Sequence, residues 1–149
     1  LAIAAEVRNS MIRRYGAEAV EQHFRSFDTI CSATQERQDA VIALLQEPLD
    51  VMVVVGGYNS SNTCHLAALV PLHGVPTYHI EDANAIDVDT GAIRYQPIGT
   101  KAEVVADQWL GSSRTIGITA GASTPNNKVG ETIARISAVA GVEIELTGK

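Results

Sequence analysis

The sequence predicts an α/β fold in which a parallel sheet is covered by helices on both faces. Short β-branched runs alternate along the chain with segments of helical periodicity. One run, VMVVV at 51–55, is apolar at every position, which is typical of a central parallel strand covered on both sides. Strands separated by helices require right-handed crossovers, so the expected architecture has three layers, α/β/α.

Composition narrows the class of protein. The chain has 149 residues, of which 46% are hydrophobic and 19% charged, enough for one compact domain with a core. Its formal net charge is −6 and its eleven basic residues are scattered, which argues against a nucleic-acid partner. No apolar run approaches the length of a membrane span, so we expect no membrane partner either.

The first third of the sequence is predicted to be helical. Apolar residues recur at helical spacing over 1–15, and a shorter helix is expected at 17–24. A third helix is expected to open after Cys31 and to stop before Pro48. Because the chain begins inside a helical pattern, we interpret residues 1–28 as a helical segment that connects from a preceding domain. Residues 29–149 are then the carboxyl-terminal α/β domain.

The remaining elements alternate. The strands, bounded by turn residues, are expected at 49–57, 76–80, 114–121 and 142–146. The helices between them are expected at 63–70, around 102–110 and at 124–141. The last helix has clear end signals, with Thr124 as the cap, Pro125 at the first helical position and Gly141 past the end.

Three strand-to-helix turns mark a candidate binding site. Ligands of open parallel sheets bind beyond the carboxyl ends of the strands. The turns at 29–35 (TICSATQ), 56–63 (GGYNSSNT) and 119–125 (TAGASTP) each place small hydroxyl or amide side chains before a helix. Free N–H groups at helix N-termini attract anions, so these turns can form a phosphate pocket without lysine. The competing interpretation is that the same side chains only cap their helices.

The two cysteines differ in context. With no C-x-x-C and no disulfide pattern, Cys31 and Cys64 suit a reducing compartment. Cys64 and His65 are adjacent in a predicted helix and face different ways, which disfavours a shared metal site. Cys31 precedes a helix N-terminus, where a thiol pKa is lowered, so it is either a structural thiol or a reactive one.

Four motifs, in their order and spacing, resemble those of a known family. They are TICSATQERQDAV, VVVGGYNSSNT, YHIEDANAID and GITAGASTPNN. They are similar to the carboxyl-terminal third of 4-hydroxy-3-methylbut-2-enyl diphosphate reductases, the LytB/IspH family, in its cyanobacterial and plastid form. The resemblance covers nearly the whole chain.

The resemblance implies a site. Members of the family have three similar α/β domains around a [4Fe–4S] cluster, with one cysteine ligand from each domain, and Cys31 matches the last of these. The residues that match those binding the substrate diphosphate are Ser60, Ser61, Asn62 and Ser123, and Thr34 can also line the cavity. The family's glutamate proton donor and active-site histidines belong to segments absent from this sequence, so no catalytic residue is assigned. Cys64 receives no role.

The resemblance also implies a reaction. The family removes the hydroxyl of an allylic diphosphate with two electrons and two protons, giving isopentenyl and dimethylallyl diphosphates in the methylerythritol phosphate route to isoprenoids. Electrons come from ferredoxin or flavodoxin-type donors, in the bacterial cytoplasm or the plastid stroma. The present chain is then an inactive part of the enzyme. The competing hypothesis is a free-standing α/β phosphate-binding or interaction domain without a cluster.

Overall fold

The structure is a computed structural model that describes residues 2–18, 20 and 32–142. The chain divides into two compact units, Leu1–Cys31 and Ser32–Lys149. Helix α1 (Ala2–Tyr15) belongs to the first unit, as expected from its periodicity. The proposed boundary between residues 28 and 29, and the preceding domain from which residues 1–28 are expected to connect, stay predictions.

The second unit contains the sheet. Its helices are α2 (Ser32–Leu44), α3 (Ser61–Leu69) and α4 (Asn126–Ala140). Its strands are β1 (Val51–Val55), β2 (Thr77–Ile80), β3 (Ile93–Tyr95), β4 (Val104–Ala106) and β5 (Ile116–Ala120). Two 3₁₀ turns, Val70–His73 and Ala83–Ala85, follow α3 and β2.

The three long strands form a parallel sheet in the order β2–β1–β5. All five residues of β1 are buried, as expected of a central strand. Val55 pairs in register with Ile80 on one side and with Ala120 on the other. The carboxyl ends of all three strands therefore lie at one edge of the sheet.

Helices cover both faces, which confirms the predicted α/β/α layers. Because side chains alternate along a strand, β1 contributes to two separate cores. Val51, Val53 and Val55 pack with Ile136 of α4 on one face. Met52 and Val54 pack on the other face with residues from α2 and α3, namely Val41, Leu66 and Ala67.

The predicted helix around 102–110 is wrong. This region contains β4, which pairs antiparallel with β3 in a hairpin, with Arg94 opposite Val105. Gln108 has a left-handed φ of 52°, which a helix does not accommodate. The segment's valines favour a strand. Pairing with β3, which the sequence did not reveal as a strand, decides the outcome.

Other predictions are partly covered by the structure. Gly141 ends α4 in a left-handed conformation and donates its N–H to the carbonyls of the preceding turn, as expected. The predicted helix at 17–24 and the predicted strand at 142–146 lie mostly outside the described residues. Within the described ranges, each helix is too short or too polar to cross a bilayer.

Candidate functional site

Two loops leave the same edge of the sheet side by side. The β1 loop (residues 56–60) connects β1 to α3, and the β5 loop (residues 121–125) connects β5 to α4. They adjoin because Val55 and Ala120, the last residues of the two strands, are paired in register. Neither loop contains a lysine or an arginine, so any anion held here would meet neutral donors and helix N-termini.

The β1 loop ends in a capped helix. Ser60 is the N-cap of α3, and its Oγ accepts the Thr63 N–H at 3.4 Å. Ser60 also donates its own N–H to the Gly57 carbonyl at 2.9 Å, which closes the loop on itself. The N-terminus of α3 is therefore fixed at the edge of the sheet, as the sequence predicts.

The β5 loop is held differently from the prediction. Thr124 does not cap α4: its buried hydroxyl donates to the Val55 carbonyl at 3.1 Å. The N-cap position belongs to Pro125, which provides no side-chain hydrogen bond, and α4 begins at Asn126. The Gly121 N–H donates to the same Val55 carbonyl at 3.0 Å. Thr124 thus joins the two loops rather than serving its own helix.

Thr63 lies between the loops and was missed from the sequence. Its side chain is fully buried, and its hydroxyl has no hydrogen-bond partner among the described residues. A Cβ on Gly56 would lie 2.9 Å from Thr63 Oγ1, and a Cβ on Gly121 would overlap that oxygen. The glycine that follows each strand was the available signal, since close approach of this kind requires glycine.

The structure brings together four of the predicted diphosphate residues. Ser60, Ser61 and Asn62 open α3, while Ser123 lies in the adjacent β5 loop. Ser61 and Ser123 are exposed. Both polar atoms of the Asn62 carboxamide are buried yet have no partner within the described part of the chain. An unpaired buried amide costs about 1–3 kcal/mol, so it is normally matched by ordered water, a ligand or another segment.

Two predicted site residues stand apart. Thr34 is half-buried in the first turn of α2, and within the described ranges no hydrogen bond joins it to either loop. Cys31 immediately precedes α2 and lies outside the described residues.

The described residues do not by themselves form a cluster site. They contain no group of three His, Cys, Asp or Glu side chains that could hold a metal ion. Cys64 is half-buried and donates its thiol hydrogen to the Tyr58 carbonyl at 3.1 Å, while His65 is exposed.

The sequence of this chain is similar to a known protein family and to curated proteins over most of its length. The profile of the family described as LytB protein matches residues 2–137. The 4-hydroxy-3-methylbut-2-enyl diphosphate reductase of Thermosynechococcus vestitus is 49% identical over 134 residues, which cover 89% of this chain and 33% of that protein. The corresponding reductase of Gloeobacter violaceus is 48% identical, with 89% and 32% covered.

A solved structure shares the fold. It is the (E)-4-hydroxy-3-methyl-but-2-enyl diphosphate reductase described as the terminal enzyme of the non-mevalonate pathway. It matches with a TM-score of 0.56 and 30% identity, over 85% of this chain and 39% of that one. The present chain thus spans about a third of the length of the curated relatives it matches.

Proposed function

The chain belongs to the LytB protein family, and from this premise we propose that it is the diphosphate-binding part of a 4-hydroxy-3-methylbut-2-enyl diphosphate reductase. The substrate class is an allylic diphosphate. The reaction replaces the hydroxyl carbon–oxygen bond with a carbon–hydrogen bond and releases water, consuming two electrons and two protons. A ferredoxin or flavodoxin-type donor supplies the electrons, in the bacterial cytoplasm or the plastid stroma.

The Asn62 carboxamide is the observation that best supports this proposal. It is buried without a partner among the described residues, at the first turn of a helix, beside two serines and opposite a loop with a third. A diphosphate would accept hydrogen bonds from the Asn62 amide and from Ser60, Ser61 and Ser123, and the positive end of α3 would favour its charge. These residues bind and orient the substrate, while the rest of the enzyme supplies the chemistry.

Alanine substitution in the full-length protein tests the diphosphate site. Each hydrogen bond to a charged group contributes binding free energy. Asn62→Ala or Ser123→Ala should therefore weaken the binding of inorganic pyrophosphate about tenfold to a hundredfold. Anaerobic calorimetry measures the binding. Ser112→Ala is the matched control, because Ser112 is an exposed serine in the segment that enters β5 at the opposite edge of the sheet. Unchanged affinity in both site variants would refute the proposal.

Cys31 is proposed to give one thiolate to a [4Fe–4S] cluster, with the other ligands supplied by segments outside this chain. Thiolate ligation fixes cluster iron, so Cys31→Ser should abolish the cluster in anaerobically purified full-length protein. Cys64→Ser should leave the iron content unchanged, since its hydroxyl can still donate to the Tyr58 carbonyl. Normal iron in the Cys31→Ser protein would contradict the assignment of Cys31 as a ligand, whereas a wild-type protein without iron would favour the alternative, a phosphate-binding domain without a cluster.

A further inference from the structure

The β1 loop is held by side chains from three other elements. His79 of β2 bonds to the Gly56 carbonyl through its Nε2 at 2.9 Å. Cys64 of α3 donates to the Tyr58 carbonyl at 3.1 Å. The Tyr58 hydroxyl donates to Oε1 of Glu103, which lies in the β3–β4 hairpin, at 2.8 Å. Only the first two contacts come from elements of the sheet layers, so the hairpin reaches the loop through Tyr58.

His79 provides a fixed, neutral anchor. Its side chain is only 4% exposed, and burial lowers its pKa below the usual value. Because a carbonyl oxygen only accepts hydrogen bonds, Nε2 must carry the hydrogen. The Tyr58 ring packs edge-on against the imidazole with centroids 5.0 Å apart. The imidazole therefore fixes both the backbone of Gly56 and the ring of Tyr58.

Glu103 is itself held in place. Its second carboxylate oxygen, Oε2, lies 3.5 Å from Nε of Arg94, which is on the facing strand of the hairpin. Burial, and then the bond to Glu103, raise the pKa of Tyr58 above its ordinary value, so the phenol stays protonated and donates at any physiological pH. The contact is thus a hydrogen bond from a neutral phenol to an ion-paired carboxylate.

A cavity separates part of the hairpin from the β1 loop. A cavity of about 610 Å³ lies between Tyr58, Cys64 and the hairpin connection at 96–101. Across this gap the bond between Tyr58 and Glu103 is a direct connection. Tyr58 lies two residues before Ser60, so a displacement of its backbone moves the N-terminus of α3.

We infer that Tyr58 is a positioning residue through which the β3–β4 hairpin and His79 set the affinity of the β1 loop for a diphosphate. The inference rests on the proposed function, because it concerns the same ligand. It assigns to Tyr58, His79 and Glu103 a role that the four proposed diphosphate-binding residues do not have. They act on the loop and do not touch the ligand.

Matched variants of the full-length protein test this role. Tyr58→Phe keeps the ring and removes the bond to Glu103, and should raise the KM for the allylic diphosphate and the Kd for inorganic pyrophosphate about threefold to tenfold, with kcat retained. His79→Leu should raise both by about tenfold, because it leaves the Gly56 carbonyl unpaired. His79→Gln and Glu103→Gln preserve a donor and an acceptor at the required atoms, so they should stay near wild type.

Coupling gives the second readout. Tyr58→Phe and Glu103→Ala remove the same bond, so the double variant should bind pyrophosphate no more weakly than the poorer single variant. Thr77→Val is the control, since it removes a side-chain bond to the Val75 carbonyl at the far end of β2. It should leave affinity unchanged.

The outcomes separate the inference from the function on which it rests. If wild type binds pyrophosphate and Tyr58→Phe lowers only the melting temperature, the residue is structural and the inference is overturned. Additive losses in the double variant would overturn it too. Should His79→Leu fail to fold, Tyr58→Phe and the double variant still decide. If the wild-type protein binds no diphosphate, the proposed function fails and the inference with it.

Discussion

The β1 loop and the β5 loop lie side by side, yet they are fixed by different means. The β1 loop depends on side chains far away in sequence, with His79 bonded to Gly56 and Glu103 bonded to Tyr58. The β5 loop reaches the end of its neighbouring strand with its own backbone and hydroxyl, through Gly121 and Thr124. A proposed site built from both loops can therefore be altered from a distance through one loop and only locally through the other.

A substitution at Gly121, where the two loops meet, should have the largest effect on stability and on pyrophosphate binding. Gly121→Ala would place a Cβ against Oγ1 of Thr63, whose side chain is fully buried. Overpacking of this kind costs about 1–3 kcal/mol, so we expect a melting temperature several degrees lower, together with loss of pyrophosphate binding. Thermal unfolding and calorimetry of the full-length protein measure both.

Two further variants sharpen this test. Thr63→Ala removes the clashing oxygen, so combining it with Gly121→Ala should restore part of the lost stability. Gly130→Ala is the control, because a Cβ there meets nothing within 4 Å. Inside a helix, alanine is more stable than glycine by about 1 kcal/mol. A Gly121→Ala protein as stable as wild type would contradict the close contact.

Alanine variants of Ser60 and Ser123 should show a difference between the two loops. Both are proposed to bind the diphosphate, so each alanine variant should lose affinity by about tenfold to a hundredfold. Only Ser60 caps a helix, through its Oγ and the Thr63 N–H. Ser60→Ala should therefore also lower the melting temperature by a few degrees, whereas Ser123→Ala should not. Lowered melting with unchanged affinity in both variants would leave these residues as structural only.

The smallest effect concerns pH. Burial lowers the pKa of His79 in the folded protein, although its bond to Gly56 and the nearby Glu81 act in the opposite direction. The unfolded chain, with a histidine pKa of about 6.5, then binds the proton more readily. Stability is thus complete above this value and falls as the pH drops through it.

His79→Gln isolates that contribution. Its melting temperature should change less than that of the wild-type protein between about pH 7.5 and about pH 5.5. These two pH values lie on either side of the histidine pKa of about 6.5 in the unfolded chain. The other histidines are common to both proteins, so they cancel in the comparison. Identical pH profiles would show that His79 does not contribute.

The amino-acid sequence by itself determined the elements whose signals are local. The apolar run at 51–55 became the central strand, Gly141 ended α4, and the polar turn at 56–63 became a capped helix N-terminus. The family followed from ordered motifs spread over the whole chain, and the comparisons confirmed it. For each of these three elements the deciding residues lie within a few positions of one another.

Tertiary structure alone decided the rest. Residues 104–106 form a strand because they pair with 93–95, and Thr124 bonds to Val55 because β5 lies beside β1. The close approach of Thr63 to Gly121 and the bond from His79 to Gly56 likewise involve residues that are distant in sequence. Local propensity is weak at such positions, and long-range pairing and packing determine which of two locally acceptable conformations forms.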